Sequence, residues 1–381
     1  MRYDHRTPRL VKDKIRDPIF VVGMARSGTT LLQCLLAASP GAFSLPETHF
    51  FSEVLHRLSK SGLQPLTSEN FSLALSMLQE RMALEVPAGE FETLQIQAVE
   101  GGLTGQDLFE FVLELYRPPD DHGQQLRVIE KTPAHVQCIP QIHALYPGAK
   151  FVHIVRDPRN VISSLLNTPF AQSRWIPWYT ERWNRILDMA SEFDASVPDT
   201  ITTIRYEDLV ENTAASLRAV CEFLDLRYVP EMLTAFSNQL TRSTVMEREP
   251  WKQKVKSGQI CSERDAWKRR ITPGQAWYIE RETQSRMKVY GYPFMASPAW
   301  LKRVQTRWQI WTLPRRDPKA LDMCANLAFR YAESGDLSRA GKLAIGTVFG
   351  NWKWLRNRTI RRALSGYVRL ILPFPWGKTG S

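Results

Sequence analysis

The sequence predicts an α/β fold: a parallel sheet flanked by helices, with a P-loop-like phosphate-binding loop, a helical cap insertion and a C-terminal helical extension. Three observations lead there. Short apolar, β-rich runs alternate with helical patterns, which argues for parallel strands joined by helices. A glycine-framed loop separates the first run from the first helix. Past Pro293 the composition turns basic and tryptophan-rich.

Taken in order, Ile19 to Gly23 is a fully apolar run behind Asp17-Pro18, and Thr29 to Ala38 is good helix material. Further strand candidates are Val128-Ile129, Phe151 to Val155 and Ile201 to Ile204. Pro147-Gly148 and Pro198-Asp199 introduce the last two. Between Glu47 and Arg127 strand character disappears, and helices over 72–82 and 106–115 suggest an inserted cap over 47–127. A helix pair over 320–333 and 337–349 is divided by Ser334-Gly-Asp336. A single such pair does not make a repeat array.

The 381 residues carry 43% hydrophobic and 23% charged side chains, ordinary for a globular protein, and no apolar run approaches the roughly 18 residues of a membrane span. The charged N-terminus lacks the apolar stretch of a secretory signal, so the mature chain is expected to start near Met1. Five scattered cysteines without metal spacing fit a reducing cytosol. The net charge of +11 is not spread evenly: residues 301–381 hold 16 Lys+Arg against 4 Asp+Glu, and the body before them is close to neutral. What the body does and where the tail puts it are therefore separate questions.

Gly23-Met-Ala-Arg26-Ser27-Gly28-Thr29-Thr30 has the spacing and the strand-to-helix context of a phosphate loop, where backbone N–H groups and the helix dipole face an anion. The lysine of ATP- and GTP-binding loops is replaced by Thr29, and Arg26 stands inside the loop. A kinase or NTPase, the alternative reading, is weakened by that replacement. Met24-Ala-Arg-Ser-Gly-Thr-Thr-Leu-Leu32 resembles the 5′-phosphosulfate loop of sulfotransferases that use 3′-phosphoadenosine-5′-phosphosulfate (PAPS), in the Arg-containing variant of the tyrosylprotein-sulfotransferase branch and many bacterial relatives.

A second motif is similar to that family's 3′-phosphate grip: Arg156 at a strand end and Ser164 eight positions later, on a helix opened by Pro158. Taken alone, Arg156 could equally pair with Asp157. Ile204-Arg-Tyr206-Glu-Asp-Leu209 is similar to the family's Y-E-D-L segment, whose tyrosine packs on the adenine. The resemblance covers about residues 17–293, leaving 294–381 as the basic extension.

By the same resemblance Glu47, in Pro46-Glu-Thr-His-Phe-Phe51, is the base that takes the acceptor's hydroxyl proton, its pKa raised by burial under the cap. Lys131, in Glu130-Lys-Thr-Pro-Ala-His135, matches a cation that stabilises the leaving phosphate. His135 is a rival base, displaced from the family position by Pro133, and His49 reads as acceptor contact or cap packing. Ser257 and Lys256 stand for the late loop that closes over the 3′-phosphate. The resemblance implies PAPS as co-substrate, no metal, and a hydroxyl acceptor on a glycan, a lipid or another small molecule.

The tail carries apolar positions at helical spacing between 354 and 371, with arginines on the other faces. This suits a helix on an anionic membrane surface and equally a helix docked on the domain. Nucleic acid ranks third for want of a recognition motif. The expected location is cytoplasmic, with the tail as peripheral-membrane element; a non-catalytic membrane-surface scaffold is the remaining alternative.

Overall fold

The computed structural model describes residues 17–58, 64–82, 102–118, 126–169, 173–241, 264–295 and 317–350, with single residues between them. Its described elements run β1 (Ile19–Gly23), α1 (Thr29–Ala37), β2 (Ala42–Ser44), α2 (Ser68–Met82), α3 (Gly105–Leu115), β3 (Arg127–Glu130), α4 (Ile139–Leu145), β4 (Lys150–Val155), α5 (Pro158–Leu166), α6 (Ile176–Ser196), β5 (Ile201–Arg205), α7 (Tyr206–Glu211), α8 (Thr213–Leu224), α9 (Met232–Thr241), α10 (Pro273–Val289), α11 (Pro318–Glu333) and α12 (Leu337–Gly350). A π-helical turn, Phe50–Val54, precedes α2, and a 3₁₀ segment, Pro133–Cys138, follows β3.

The chain divides into two compact units, one of residues 1–156 and 186–263, the other of 157–185 and 264–381. The first holds the sheet, in the order β2-β3-β1-β4-β5, every described pairing parallel. β1 is central because all five of its residues are buried, the mark of a strand covered on both faces. Its residues alternate between the two faces. Ile19 and Val21 join Leu32, Leu35 and Leu36 of α1, Leu217 of α8 and Phe236 of α9 in one core. On the other face Phe20 stacks on Phe151 at 5.4 Å and meets Phe51 edge-on at 6.0 Å. α3 starts under a capping box, Thr104 and Asp107 bonding each other's backbone N–H, and sends Phe109 into that aromatic cluster.

In the second unit Asp157 caps α5 by accepting from the Arg159 N–H, with Pro158 in the first turn. Arg159 is the charged hub there. It bonds Asp157 and Glu280 and lies over the Trp267 ring at 4.6 Å. α11 and α12 form the expected helix pair around Cys324, Leu327, Ala340 and Ala344, closed by Trp175.

Sequence and structure agree on β1, β3, β4 and β5 to within a residue or two, and on the two helices α2 and α3. The short edge strand β2 had no sequence signal. The basic helix expected over 354–371 lies outside the described residues.

Candidate active site

The loop after β1 is built from positions only certain residues tolerate. Gly23 has φ 147°, and a Cβ there would sit 2.6 Å from the Ile154 carbonyl oxygen. Gly28 has φ 99°, and a Cβ would strike the Tyr206 ring at 2.3 Å. Between them Arg26 adopts φ 76°, a left-handed conformation that costs a non-glycine residue about 1–3 kcal/mol. The Ser27 N–H turns back to the Met24 carbonyl at 3.1 Å. The Ser27 hydroxyl oxygen is buried without a hydrogen-bond partner among the described residues, a group that calls for an acceptor or donor supplied from outside. α1 begins at Thr29 with no acidic side chain in its first turn, so the positive end of its dipole is not offset.

The other predicted residues each follow a strand's carboxyl end. Glu47 comes just after β2, Lys131 directly after β3, Arg26 after β1, Arg156 after β4, and Tyr206 after β5. With the strand order β2-β3-β1-β4-β5, the series along that edge is Glu47, Lys131, the phosphate loop, Arg156 and Tyr206. The loop stands at β1, where the chain order reverses from one side of the sheet to the other, the usual ligand position of open α/β sheets.

Arg156 donates to the Arg26 carbonyl at 3.2 Å, and its guanidinium carbon lies 4.1 Å from the centre of the Tyr206 ring. Asp157 pairs with Arg159. Tyr206 thus touches both the loop glycine and the arginine beside it.

At the other end of the series the Lys131 ammonium donates to Glu47 Oε1. Lys131 is 1% exposed and Glu47 26%. His49 Nε2 is 3.3 Å from Glu47 Oε2, and His49 Nδ1 is 3.2 Å from Glu53 Oε1, close enough for an ion pair but not aligned as a hydrogen bond. Arg81, on α2, bonds the second oxygen of Glu53. Burial opposes charge on His49, but the contacts with Glu47 and Glu53 outweigh it and raise its pKa to about 9. Those same contacts hold Glu53 below the usual carboxylate range against the opposing effect of its partial burial. The Glu47 side chain is a quarter exposed and lies against both Lys131 and His49.

A second carboxylate explains why these loops sit as they do. Glu130, fully buried, accepts from Thr48 Oγ1 at 2.9 Å, Thr132 Oγ1 at 2.6 Å and His135 Nδ1 at 2.9 Å. Burial pushes its pKa up, and His135 and the two hydroxyls more than reverse that, leaving it lowered. Thr132 Oγ1 also accepts the His49 N–H at 3.2 Å, and His135 Nε2 accepts the Phe51 N–H at 3.2 Å. These bonds fasten the 47–51 loop to the 130–135 segment. They also decide His135: Nε2 is an acceptor, so Nδ1 carries the proton, and both nitrogens are spent at 0% exposure. That is a structural imidazole.

Of the remaining candidates, Thr29 and Thr30 open α1. Ser164 lies on α5 in the second unit, and its neighbour Ser163 is the fully buried one, bonded to the Asn160 carbonyl. Ser257 and Lys256 lie outside the described residues. Glu130, Thr48, Thr132, Glu53 and Arg81 were not found from the sequence; the partners of Glu130 come from two segments about 80 positions apart. Among the described residues no group of three or more His, Cys, Asp or Glu side chains could hold a metal. No helix among them is long and apolar enough to cross a membrane.

The profile of the Sulfotransferase family matches residues 18–230, from β1 to just before α9. The chain belongs to the sulfotransferase family. The family and the fold are those of enzymes that transfer sulfate. A putative protein-tyrosine sulfotransferase of Caenorhabditis briggsae is 25% identical over 225 residues, 56% of this chain and 68% of that protein. Protein-tyrosine sulfotransferase A of Caenorhabditis elegans is 25% identical over 221 residues, 56% of this chain and 51% of that one. The omega-hydroxy-beta-dihydromenaquinone-9 sulfotransferase Stf3 of Mycobacterium bovis is 26% identical over 263 residues, 57% and 65%. The chain thus spans only about half to two thirds of these relatives' lengths. Among solved structures, the sulfotransferase domain of the Synechococcus PCC 7002 olefin synthase shares the fold with a TM-score of 0.53 at 21% identity, covering 75% of this chain and 99% of the domain.

Proposed function

We propose that this sulfotransferase moves the sulfuryl group of PAPS to a hydroxyl of a glycan, lipid or other small-molecule acceptor. The observation that carries this reading is the ordered series along the carboxyl edge of the sheet: carboxylate, ammonium, phosphate loop, guanidinium, aromatic ring. PAPS fits the residues present. The Ser27 hydroxyl, without a partner among the described residues, the loop N–H groups and the α1 dipole suit its 5′-phosphosulfate, and the Arg156 guanidinium suits its 3′-phosphate. When bound, PAPS supplies a sulfuryl group already activated by its phosphate leaving group.

The chain's own residues do the rest. Glu47, paired with Lys131 and beside His49, accepts the acceptor's hydroxyl proton while the acceptor oxygen bonds to sulfur and the sulfur–oxygen bond to phosphate breaks. A proton arriving on Glu47 removes the counter-charge of Lys131, and its ammonium is then available for the negative charge growing on the leaving phosphate. Arg26 faces the transferred oxygens. Tyr206 braces the loop and Arg156.

The basic residues of 301–381 belong to the second compact unit and are its charged extension in this reading. We place the enzyme in the cytoplasm, with that extension against an anionic membrane surface. Calorimetry with PAPS and with ATP tests the nucleotide, and transfer of labelled sulfate from PAPS into cell extracts tests the reaction. ATP binding equal to PAPS binding, or no incorporation, overturns it.

A further inference from the structure

The Glu47 carboxylate is one link in an alternating array that reaches from the core to the surface. Lys131, anchored after β3, touches Oε1. His49 touches Oε2 with Nε2 and reaches Glu53 with Nδ1, and Arg81 holds Glu53 from α2. The charges read plus, minus, plus, minus, plus. His49 is also held at its backbone, in a left-handed conformation of φ 50° with its N–H on Thr132 Oγ1. The groups facing the ring are therefore Glu47 from its own loop, Glu53 from the π-helical turn, Arg81 behind Glu53, Lys131 behind Glu47, and the buried Glu130–His135 pair beyond Thr132.

We propose that His49 is a positioning residue for the proton-accepting carboxylate, its imidazolium bridging Glu47 and Glu53 so that the α2 anchor at Arg81 sets the direction of Glu47. The physical case is geometric. A carboxylate with a single lysine partner can rotate about its last torsion; one with a cation on each oxygen cannot do so without breaking a contact. The remaining lone pairs of Glu47 then point in one direction, which is what a base must offer to an incoming hydroxyl. The ring carries its charge up to about pH 9. Above that, the bridge loses its charge and the Glu47–His49 contact weakens while the Lys131 contact stays. The inference rests on the reading of Glu47 as base, and its test separates the two.

The full-length protein with ¹³C-labelled histidine is titrated by NMR, H49Q identifying the His49 resonance, in wild type, E47Q and E53Q. His49 is expected to titrate near 9 in the wild type and at least about one unit lower in each carboxylate variant. A resonance that titrates near the ordinary histidine value, or that ignores both substitutions, overturns the bridge without any reference to catalysis. In parallel, turnover is followed as release of the adenosine bisphosphate product from PAPS, with 2-naphthol as phenolic probe and with water alone. Wild type should lose turnover as pH rises through about 9, E53Q should lose it at lower pH, and H49Q should fall by about tenfold or more with unchanged PAPS affinity and no such alkaline limb. An alkaline limb identical in E53Q and wild type overturns the positioning role even if H49Q fails to fold. Full turnover in E47Q, with the NMR coupling intact, would remove the base assignment while leaving the bridge.

Discussion

Two carboxylate–histidine pairs lie on loops bonded to each other in this protein, and they do opposite things. Glu130 and His135 are sealed at 0% exposure beside Phe20 and Phe51, with both imidazole nitrogens spent. Glu47 and His49 are about a quarter exposed. The first pair has nothing left to offer a substrate, and its energy goes into holding loops: an unsatisfied partner there would cost about 1–3 kcal/mol. The second pair is held by charge, with room for a further hydrogen bond. Chemistry of the residues does not distinguish scaffold from site here; remaining capacity for a ligand does.

The sharpest way to break this contrast is to neutralise each pair in turn. Glu47→Gln should lower turnover by about 10²–10⁴-fold, the range for a positioned base, with unchanged PAPS affinity and melting temperature. His135→Gln should do the reverse, lowering the melting temperature while turnover per folded molecule changes little. Turnover lost in His135→Gln and kept in Glu47→Gln would exchange the two assignments. Next in size is Arg26→Ala, expected to cost about 10²–10³-fold in turnover because it removes a donor aimed at developing charge. An effect confined to PAPS affinity would make it a binding residue.

Gly28→Ala probes the far end of the same edge. The added methyl would need a φ of 99° and the space of the Tyr206 ring, a combined cost of about 2–4 kcal/mol from backbone strain and overpacking. The variant should melt lower and bind PAPS weakly, and Tyr206→Ala should partly restore it by vacating that space. No restoration would mean that the backbone angle alone sets the requirement.

How much of this was legible in the sequence varies with the range of the interaction. β1, its loop and α1 are written in consecutive residues, an apolar run, glycines at 23 and 28, then helix formers, so local rules suffice. β2 escaped because only Phe43 of its three residues is buried; an edge strand of that length has no periodicity to read. Glu47, Lys131, Arg26, Arg156 and Tyr206 could be named from motifs, but their order along the edge depends on strand order, which no motif contains. The Glu130 hub was invisible for a related reason: a buried glutamate looks like any other until Thr48 is brought to it from 82 positions away. Asp157 shows the limit from the other side, since it pairs with Arg159, two positions on, which no motif singled out.

A third histidine completes the comparison and gives the smallest predicted effect. His153, on β4, is buried like His135 but no carboxylate pairs with it among the described residues; Nδ1 meets Thr203 Oγ1 at 3.2 Å, and Nε2 has no partner among them. Burial alone lowers its pKa to about 4. In the unfolded chain it would protonate near 6.5, so below that pH the unfolded state takes up a proton that the folded state refuses, and stability falls as pH falls. Between pH 6.5 and 5 this amounts to on the order of 2 kcal/mol. Two other groups cannot imitate it in that window. Glu130, with a lowered pKa, loses its contribution only as pH drops below the ordinary carboxylate value. His49, with a raised one, loses its contribution as pH rises toward 9. The urea midpoint of the wild type should therefore decline from pH 6.5 to 5, and His153→Gln should flatten that decline whatever it does to stability at pH 7. An equally steep decline in the variant would show that His153 is not what senses mild acid, and that burial without a carboxylate partner does not suffice to make a histidine a liability in this sheet.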